Sequence, residues 1–550
     1  MKKFHFISIV SAVLCLASCT EFLDMTPTDR VSEKTIWAET GTAEYSINYL
    51  YTYIWDLNSA PTTIGLTESL TDELKYTSYN YNALCYIPSE MSYGGSVLTD
   101  TYVDAYLGYW GTLYVAIRRV NADLSYLHSY GQMDDADKAR LEGELRFLRA
   151  YMYFELVKRY KDVIIYDEDL TAITKDKALG TESEAWDMVQ GDLKFAAENL
   201  PVQAEAKGRI DKGMALAFTT RAMLYAKRYD AVVNAAGQLG ALGYDLEANY
   251  ADAFTKTLAQ GNKEAILQYA FDLSNGLTHS FNFYYTPGGD YTVNSATGGG
   301  YGVPTQEMVE SYEYAGGGFP DWSAWHTSTG TTATPPYARL EPRFHATILY
   351  NGSQWKGRTI EPFVNGTDGW AEWRTEKEPK GRTVTGYYLR KLVDETYDVN
   401  TSGSSQPFTF LRLAEVILNS AEASYRLGDE ASANAAVKRI RARVGLPYAD
   451  KSGADLWDAI RQERKVELAY EGLRYWDLRR WGDASKNYPE GLTGYRQHGF
   501  KIVRQGEDFV YTYVEIDDKD RNFPEKLYRF PMPSSELNSN NLVDQYPEWK

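Results

Sequence analysis

Residues 461–482 read Arg-Gln-Glu-Arg-Lys-Val-Glu-Leu-Ala-Tyr-Glu-Gly-Leu-Arg-Tyr-Trp-Asp-Leu-Arg-Arg-Trp-Gly. Charged and apolar residues alternate at helical spacing along this stretch, which predicts a strong helix over 454–481. Glu463, Glu467 and Glu471 recur at every fourth position, so they lie on one face of that helix. The stretch therefore predicts a helical fold with a row of carboxylates on one of its last helices.

The carboxylate row has two interpretations. Paired carboxylates can act as acid and base in catalysis. Opposite charges at helical spacing more often form ion pairs that fix a helix to its neighbours, and Arg464, Arg474 and Arg479 stand close by in sequence. We favour the structural interpretation, a network of ion pairs and hydrogen bonds.

Other segments also predict helices. Helical signals begin near Ser32 and continue through the Tyr-rich run 43–55. A helix over 134–160 is predicted with Asp134 or Asp135 as its cap, because apolar residues recur there at steps of three and four. Its apolar stripe consists of Leu141, Leu145, Leu148, Met152 and Leu156.

Two segments share a pattern of an Ala-rich helix, a polar turn and a second helix. They are 213–238, with the turn Lys-Arg-Tyr-Asp, and 411–443, with the turn Leu-Gly-Asp-Glu. Small residues let paired helices approach closely, as in tetratricopeptide-type repeats. Ala-rich hairpins also occur in ordinary bundles, but we favour a mainly α fold built on a tetratricopeptide-like scaffold.

The segment 271–408 has a different character. Glycine triplets at 298–300 and 316–318 and the pair Pro335-Pro336 interrupt short Thr/Tyr/Val runs. We expect a long insert of loops and short strands with flexible glycine loops, and loops on a rigid scaffold commonly carry binding residues. The tail, 523–549, is predicted to be irregular. We place an N-terminal helical region at 36–270 and a C-terminal region, which includes the insert, at 271–550.

The first residues predict export. Lys2 and Lys3 precede an apolar stretch that ends in Leu16-Ala-Ser-Cys19. This order is typical of a cleaved signal peptide over 1–18, and a cysteine directly after the small residues matches the bacterial lipobox. We therefore expect lipid attachment at Cys19 and a tether over 19–35, and an ordinary signal peptide is the alternative. Lipid chains anchor a protein stably when two or more are attached.

Composition excludes several functions. The chain has 550 residues, with 57 basic and 75 acidic side chains and a net charge of −18, which argues against nucleic acid as a partner. The cysteines are Cys15, Cys19 and Cys85, so no intramolecular disulfide or cysteine-based metal site is expected in the exported chain. The six histidines are scattered, and no nucleotide-binding or nucleophile motif occurs, so no cofactor is predicted. A calcium site built from loop carboxylates would leave no such pattern.

Aromatic residues are abundant, with 45 Tyr, 13 Trp and 20 Phe. Aromatic rings with polar ends suit half-buried surfaces, and their faces stack on the CH faces of sugars. Three loop clusters qualify as candidate ligand contacts, although any single ring is more often a core residue. The candidates are Tyr79, Tyr81 and Asn82 with the nearby Tyr76 and Tyr86; Tyr284, Tyr285 and Tyr291 with Tyr301; and Trp322 and Trp325, with Trp370 and Trp373 further along.

Several stretches together resemble the SusD/RagB family. They are Glu144 to Tyr160, the opening stretch 461–482, and Tyr528-Arg-Phe-Pro-Met-Pro-Ser-Ser-Glu-Leu-Asn538. With the lipobox and the helix pair 411–443, they follow the family's order along nearly the whole chain.

The resemblance implies a non-catalytic glycan-binding lipoprotein on the outer face of the outer membrane. It also implies a partner, a SusC-like TonB-dependent transporter to which the bound oligosaccharide is delivered. Two alternatives stay open: a surface glycoside hydrolase, and a binder of peptides or glycoprotein fragments, since the RagB branch handles peptides. The identity, linkage and length of the glycan do not follow from the sequence.

Overall fold

The computed structural model describes residues 32–58, 67–77, 103, 107–170, 176–291, 298–372, 381–399, 403–517 and 520–550. The helices are α1 (Glu33–Ala38), α2 (Thr40–Asn58), α3 (Trp110–Tyr130), α4 (Asp135–Tyr160), α5 (Glu182–Asn199), α6 (Lys212–Tyr225), α7 (Tyr229–Gly240), α8 (Asp252–Thr255), α9 (Phe281–Tyr285), α10 (Gln306–Val309), α11 (Pro342–Thr347), α12 (Leu413–Arg426), α13 (Glu430–Arg443), α14 (Gly453–Glu467), α15 (Arg474–Trp481) and α16 (Ser534–Ser539). The strands are β1 (Leu74–Tyr76), β2 (Ala265–Tyr269), β3 (Gly302–Pro304), β4 (Ile348–Leu349), β5 (Gln354–Trp355), β6 (Arg358–Thr359), β7 (Tyr388–Leu389), β8 (Phe408–Arg412), β9 (His498–Gln505) and β10 (Asp508–Glu515).

The long helices pack as a stack of antiparallel neighbours. Each helix from α3 to α7 contacts the next, and α12 contacts α6, α7, α13 and α14. The predicted pairs 213–238 and 411–443 are present as α6–α7 and α12–α13, and the alanines of α6 and α12, including Ala217 and Ala421, are fully buried. The mainly α, tetratricopeptide-like expectation is confirmed. No helix among the described residues is both long enough and apolar enough to span a bilayer.

Helix α4 agrees with the helix predicted over 134–160. The side chain of Asp134 caps it by accepting a hydrogen bond from the backbone N–H of Asp137 at 2.8 Å, and Lys158 and Arg159 lie in its last turn. An acidic residue at the N-terminus of a helix and basic residues at its C-terminus both interact favourably with the helix dipole. Its predicted apolar stripe is buried against α3, α5 and α6.

The prediction of a single helix over 454–481 is wrong, because the helical conformation is interrupted between α14 and α15. Tyr470 and Gly472 both take positive φ, 63° and 75°, a conformation that ends a right-handed helix. The hydroxyl of Tyr470 donates to the carbonyl oxygen of Glu73 at 3.0 Å. The break is therefore held by a contact with a segment about 400 residues earlier, which local periodicity does not reveal.

The insert 271–408 is irregular, as expected. Its described helices are at most six residues long, and its strands form two-stranded antiparallel pairs. Some of these pairs reach outside the insert: β1 pairs with β3, and β2 pairs with β8. The tail beyond 523 is irregular apart from short helical turns.

Two large apolar clusters form the core. The first lies within the helix stack and extends to the C-terminal tail, and the second lies in the insert and includes the inner face of the β9–β10 hairpin. We call them the stack core and the insert core. Tyr250 and Val466, from outside the insert, also belong to the insert core.

A buried ion network links the helix stack to the insert, so the structural interpretation of the carboxylate row is confirmed. Glu467 accepts hydrogen bonds from Arg412 at 2.7 Å and from Arg343 at 3.1 Å, and it also pairs with Arg443. Burial alone would raise the pKa of Glu467, but these three guanidinium groups hold it well below its usual range.

The other two carboxylates of the row are bound in the same way. Glu463 pairs with Arg343 at 2.5 Å and with Arg441 at 3.1 Å, and Glu471 pairs with Lys391 at 2.7 Å. Arg343 and Lys391 belong to the insert, whereas Glu463 lies on α14. The network therefore fastens the insert to the last helices of the stack.

One buried carboxylate lacks such compensation. The side chain of Asp123 is only 1% exposed, and Oδ2 accepts one hydrogen bond, from Ser46 Oγ at 3.2 Å. Arg119 Nε lies 3.5 Å from the other oxygen, on a side chain that is 47% exposed. Burial raises the pKa of Asp123 to about 6.

We expect Asp123→Asn to stabilise the protein at pH 8. The folded pKa lies above the unfolded value of about 3.9, so ionisation of Asp123 opposes folding as pH rises through about 6. The gain should be on the order of 1–2 kcal/mol at pH 8 and smaller at pH 5. Urea unfolding at both pH values measures it, with the exposed Asp508→Asn as the control. An equal gain at both pH values would contradict the explanation.

Candidate functional site

Tyr76, from the first aromatic cluster, meets the second cluster where β1 pairs with β3. The backbone N–H of Thr77, directly after β1, donates to the carbonyl oxygen of Tyr301 at 3.0 Å. Tyr76 Oη lies 3.4 Å from Tyr285 Oη across the same pair. The candidates Tyr79, Tyr81 and Asn82, the nearby Tyr86, and Cys19 lie outside the described residues.

Three half-exposed rings form a continuous surface beside this strand pair. Phe283 is 39% exposed, and it meets Tyr284 and Tyr291 edge to face at centroid distances of 5.0 and 6.2 Å. Tyr284 in turn meets the buried Tyr301 edge to face at 5.4 Å. We call Phe283, Tyr284 and Tyr291 the ring platform. Because each ring supports the next, their orientations are fixed before any ligand arrives.

The turn after α9 supports the platform through hydrogen bonds. Tyr291 Oη donates to the carbonyl oxygen of Phe283 at 2.8 Å. Asp290 accepts from Trp355 Nε1 at 3.0 Å and from Arg358 Nη2 at 2.8 Å. Burial would raise the pKa of Asp290, but hydrogen bonds from Thr286, Arg358 and Trp355 hold it below its usual value. Asp290 is therefore a charged anchor for the turn.

The glycines at 298–300 are not a flexible loop, contrary to expectation. A Cβ on Gly298 would lie 2.2 Å from Tyr291 Oη, and a Cβ on Gly288 would lie 2.3 Å from the carbonyl oxygen of Gly381. Gly299 and Gly300 also take positive φ. The triplet is glycine because backbone segments approach too closely here for side chains. We call the contacts of Gly288 and Gly298–Gly300 with Gly381 the glycine seam.

Tyr285 has no exposed surface and belongs to the insert core. Its ring stacks on Phe281 at 4.3 Å. A ring in this position supports the platform and offers no face to a ligand. The sequence pattern alone does not separate Tyr285 from Tyr284, because both lie in the same one-turn helix.

Trp322 and Trp325 form a separate cluster, with ring centroids 5.7 Å apart. Trp322 is 5% exposed and packs into the insert core, whereas Trp325 is half-buried and donates from Nε1 to the carbonyl oxygen of Ala333 at 2.8 Å. The structure pairs Trp370 with Thr383 in a β-bridge and not with these tryptophans. Trp373 lies outside the described residues.

Histidines that the sequence showed as scattered extend the Trp325 cluster. His326 and His498 both stack on Tyr513, at centroid distances of 4.4 and 4.3 Å. Glu310 pairs with His326 at 2.6 Å, and Glu307 pairs with His498 at 2.7 Å. No group of three or more metal-binding side chains occurs in the described part of the chain.

A further aromatic surface was missed by sequence reasoning. The ring of Trp55 lies 4.4 Å from Tyr269 and 5.2 Å from Phe271, and Phe408 and Phe410 complete the group. The five residues come from α2, β2, the segment directly after β2, and β8, so no local pattern unites them. Phe271 also lines a cleft of about 840 Å³, whose polar lining includes His345, Arg390, Asp394 and Glu395.

Comparisons with known proteins agree over nearly the whole chain. Residues 263–549 match the model described as the SusD family, and residues 21–224 match the model described as "Starch-binding associating with outer membrane". A SusD-like protein of Bacteroides ovatus is 22% identical, over 99% of this chain and 95% of that protein.

Solved structures share the fold. A SusD-like protein of Bacteroides fragilis superposes with a TM-score of 0.78 at 27% identity, covering 95% of this chain and 99% of that one. A SusD-like carbohydrate binding protein of the same species gives 0.72 at 23% identity, with 93% and 100% coverage. The SusD family model alone spans more than half of the 550 residues. This chain belongs to the SusD family.

Proposed function

We propose that this chain is a non-catalytic glycan-binding protein of the cell surface, and that the ring platform is where it holds its ligand. The observation that carries the proposal is the platform itself, three half-exposed rings on a base of close glycine contacts. A relative that covers nearly the whole chain is described as carbohydrate binding, and SusD family members bind glycans without cleaving them.

The chemistry of the platform suits a sugar. Phe283 offers an apolar face to the CH groups of a pyranose ring, and the phenol rings of Tyr284 and Tyr291 combine such faces with hydroxyl groups. Pre-ordered rings lose little side-chain entropy when a ligand binds, which favours affinity from a small contact area. Tyr79, Tyr81 and Asn82, which follow β1 in the sequence and lie outside the described residues, remain candidate contacts.

The buried acids support the non-catalytic part of the proposal. Glu463, Glu467 and Glu471 are each paired with arginine or lysine inside the protein. A glycoside hydrolase needs two carboxyl groups facing a bound sugar. These three carboxylates face cations instead, so the most conspicuous acidic motif of the sequence serves the fold.

Location and partner complete the proposal. We propose that the chain is attached to the outer membrane through lipid on Cys19, faces the exterior, and passes bound oligosaccharide to a SusC-like TonB-dependent transporter. The lipobox supports the anchor, and the description of the N-terminal family model supports the membrane. Affinity purification from native membranes should recover a TonB-dependent barrel, and recovery of none would contradict the transporter part.

We expect the double variant Phe283→Ala/Tyr284→Ala to lose glycan binding. Phe283 is the most exposed ring of the platform and Tyr284 is half-buried beside it, and removal of both should weaken affinity about 10-fold or more. Affinity electrophoresis of the purified protein against a polysaccharide panel measures the effect on the glycan that retards the wild type. Phe319→Ala, which removes a 54% exposed ring elsewhere in the insert, is the matched control.

Several outcomes would redirect the proposal. Full retardation of the double variant, with loss in Trp325→Ala, would move the site to the tryptophan cluster. Release of reducing sugar from the retained polysaccharide would establish a hydrolase. Binding of peptides with no retardation by any glycan would favour a peptide ligand.

A further inference from the structure

A second cavity lies in the stack core, between α4 and α15, and has a volume of about 350 Å³. Its aromatic wall includes Trp186, Tyr225 and Trp476. The charged residues that line it are Lys158, Lys161, Lys227, Arg479, Arg480 and Glu182, five cations and one acid. Such an excess of positive charge is unusual in a chain with a net charge of −18.

Arg479 is buried and has no ionic partner among the described residues. The residue is 6% exposed, and Nη2 donates to the carbonyl oxygen of Leu527 at 2.7 Å. No atom of the described residues accepts a hydrogen bond from its Nε or Nη1. Its guanidinium carbon lies 4.8 and 4.4 Å from the ring centroids of Trp476 and Phe530. Ring faces compensate a buried cation only in part, so Arg479 brings to the cavity a positive charge that no carboxylate of the described residues neutralises.

Positive charge is concentrated around Trp476. Lys158 Nζ lies 4.6 Å from the centroid of the Trp476 ring, and the guanidinium carbon of Arg159 lies 4.8 Å from it. Both are as close to the ring as the guanidinium carbon of Arg479. Within the described chain, Lys158 and Arg159 share a single carboxylate, Glu155, in their ion pairs. Arg159 and Arg479, together with Lys158 when it is protonated, therefore face one carboxylate in a desolvated region, an arrangement that a further negative charge would stabilise.

Arg480 and Lys227 do not alter this balance, whereas the protonation state of Lys158 does. Arg480 is already neutralised by Glu422 and Asp477. Burial lowers the pKa of Lys158 to about 7, with Arg159 adding to the decrease against the opposing effect of Glu155. Lys227 is exposed at the rim, where a cation attracts an anion without being buried itself.

We propose that this cavity binds a small oxyanion, a carboxylate, sulfate or phosphate group, which is held by the cations that line it, among them Arg479. Charge-assisted hydrogen bonds from guanidinium to oxyanions are among the strongest in proteins. The volume fits an inorganic ion or a single acidic sugar unit. The site belongs to the stack core, whereas the ring platform belongs to the insert core, so each can be tested while the other is intact.

The test is isothermal titration calorimetry of the purified chain with sodium sulfate, phosphate and glucuronate, and with glucose as the neutral comparison. Saturable binding of at least one anion with a dissociation constant of about 1 mM or tighter is expected, and none for glucose. Thermal unfolding in the same salts, at ionic strength matched with chloride, gives a second measurement on the wild type. Saturation matters because sulfate and phosphate also stabilise proteins by exclusion from their surfaces.

Variants locate the site. Arg479→Gln should weaken the anion about 10-fold or more, and Lys227→Gln, on the exposed rim, about 2- to 3-fold. Arg439→Gln, which removes a 48% exposed cation from a surface pair with Asp245, should leave affinity within about 2-fold.

The ranking of the anions identifies the source. Preference for glucuronate indicates a sugar acid, and preference for sulfate or phosphate indicates an inorganic ion or its ester. No saturable binding, or equal affinity in wild type, Arg479→Gln and Lys227→Gln, would overturn the proposal.

Discussion

Replacing Arg412 by methionine is expected to destabilise the protein by about 3–5 kcal/mol, because it removes a cation that three buried carboxylates share. Arg412 is 1% exposed and binds Glu264 at 2.6 Å, Glu467 at 2.7 Å and Glu471 at 2.6 Å. Methionine occupies a similar volume, so the loss reports charge and hydrogen bonding more than cavity formation. The shift of the urea midpoint, followed by tyrosine and tryptophan fluorescence, measures it.

The matched control is Arg439→Met, which removes an arginine from an exposed pair. Arg439 and Asp245 lie 3.1 Å apart, and they are 48% and 69% exposed. Pairs of this kind contribute below about 1 kcal/mol. Equal midpoints for the two variants would show that the buried network does not hold the insert to the helix stack.

Phe218→Ala should cost about 3–5 kcal/mol through the cavity it leaves. Phe218, on α6, is fully buried, and its ring lies 5.5, 5.1 and 5.2 Å from those of Phe147, Tyr151 and Phe154 on α4. The substitution removes the ring at the centre of that contact between the two helices. Val115→Ala, at a position 61% exposed on α3, should change stability by less than about 0.5 kcal/mol.

Calorimetry at several pH values distinguishes the loss of packing in Phe218→Ala from the loss of charge in Arg412→Met. The loss in Phe218→Ala should be nearly independent of pH between 6 and 8, since no titratable group is removed. A loss no larger than that of Val115→Ala would mean that the helix contact does not depend on this ring.

The helices of the stack were predictable because the residues that determine each helix lie close together in the sequence. The stripe of α4, its Asp134 cap and the alanines of α6 and α12 are all set within a few residues of one another. The role of Glu467 was also predictable, because alternating charge at helical spacing is a common form of structural ion pairing. Its partners, Arg343 and Arg412, were not, since they lie 124 and 55 residues away.

The site was less predictable, because its contacts join residues that are far apart in sequence. Tyr284 and Tyr285 differ in burial only because α9 places one against Tyr301 and the other inside the insert core. Trp55 meets Tyr269 and Phe410 through three separate elements. The pairing of β1 with β3 brings Tyr76 beside Tyr285 across 209 residues of sequence. Such contacts are determined by the fold as a whole.

The glycine seam has a consequence for how ligand preference can change. Backbone contacts of Gly288 and Gly298–Gly300 with Gly381 shape the base, and the rings stand above it. Side chains at 283 and 284 can therefore be exchanged without reshaping the scaffold that carries them, whereas Tyr291 packs against Gly298 and hydrogen-bonds the carbonyl oxygen of Phe283. The glycine seam sets the shape of the base, and the ring side chains set which ligand is preferred. New ligand specificities are therefore accessible by substitution at a few ring positions while the seam is retained.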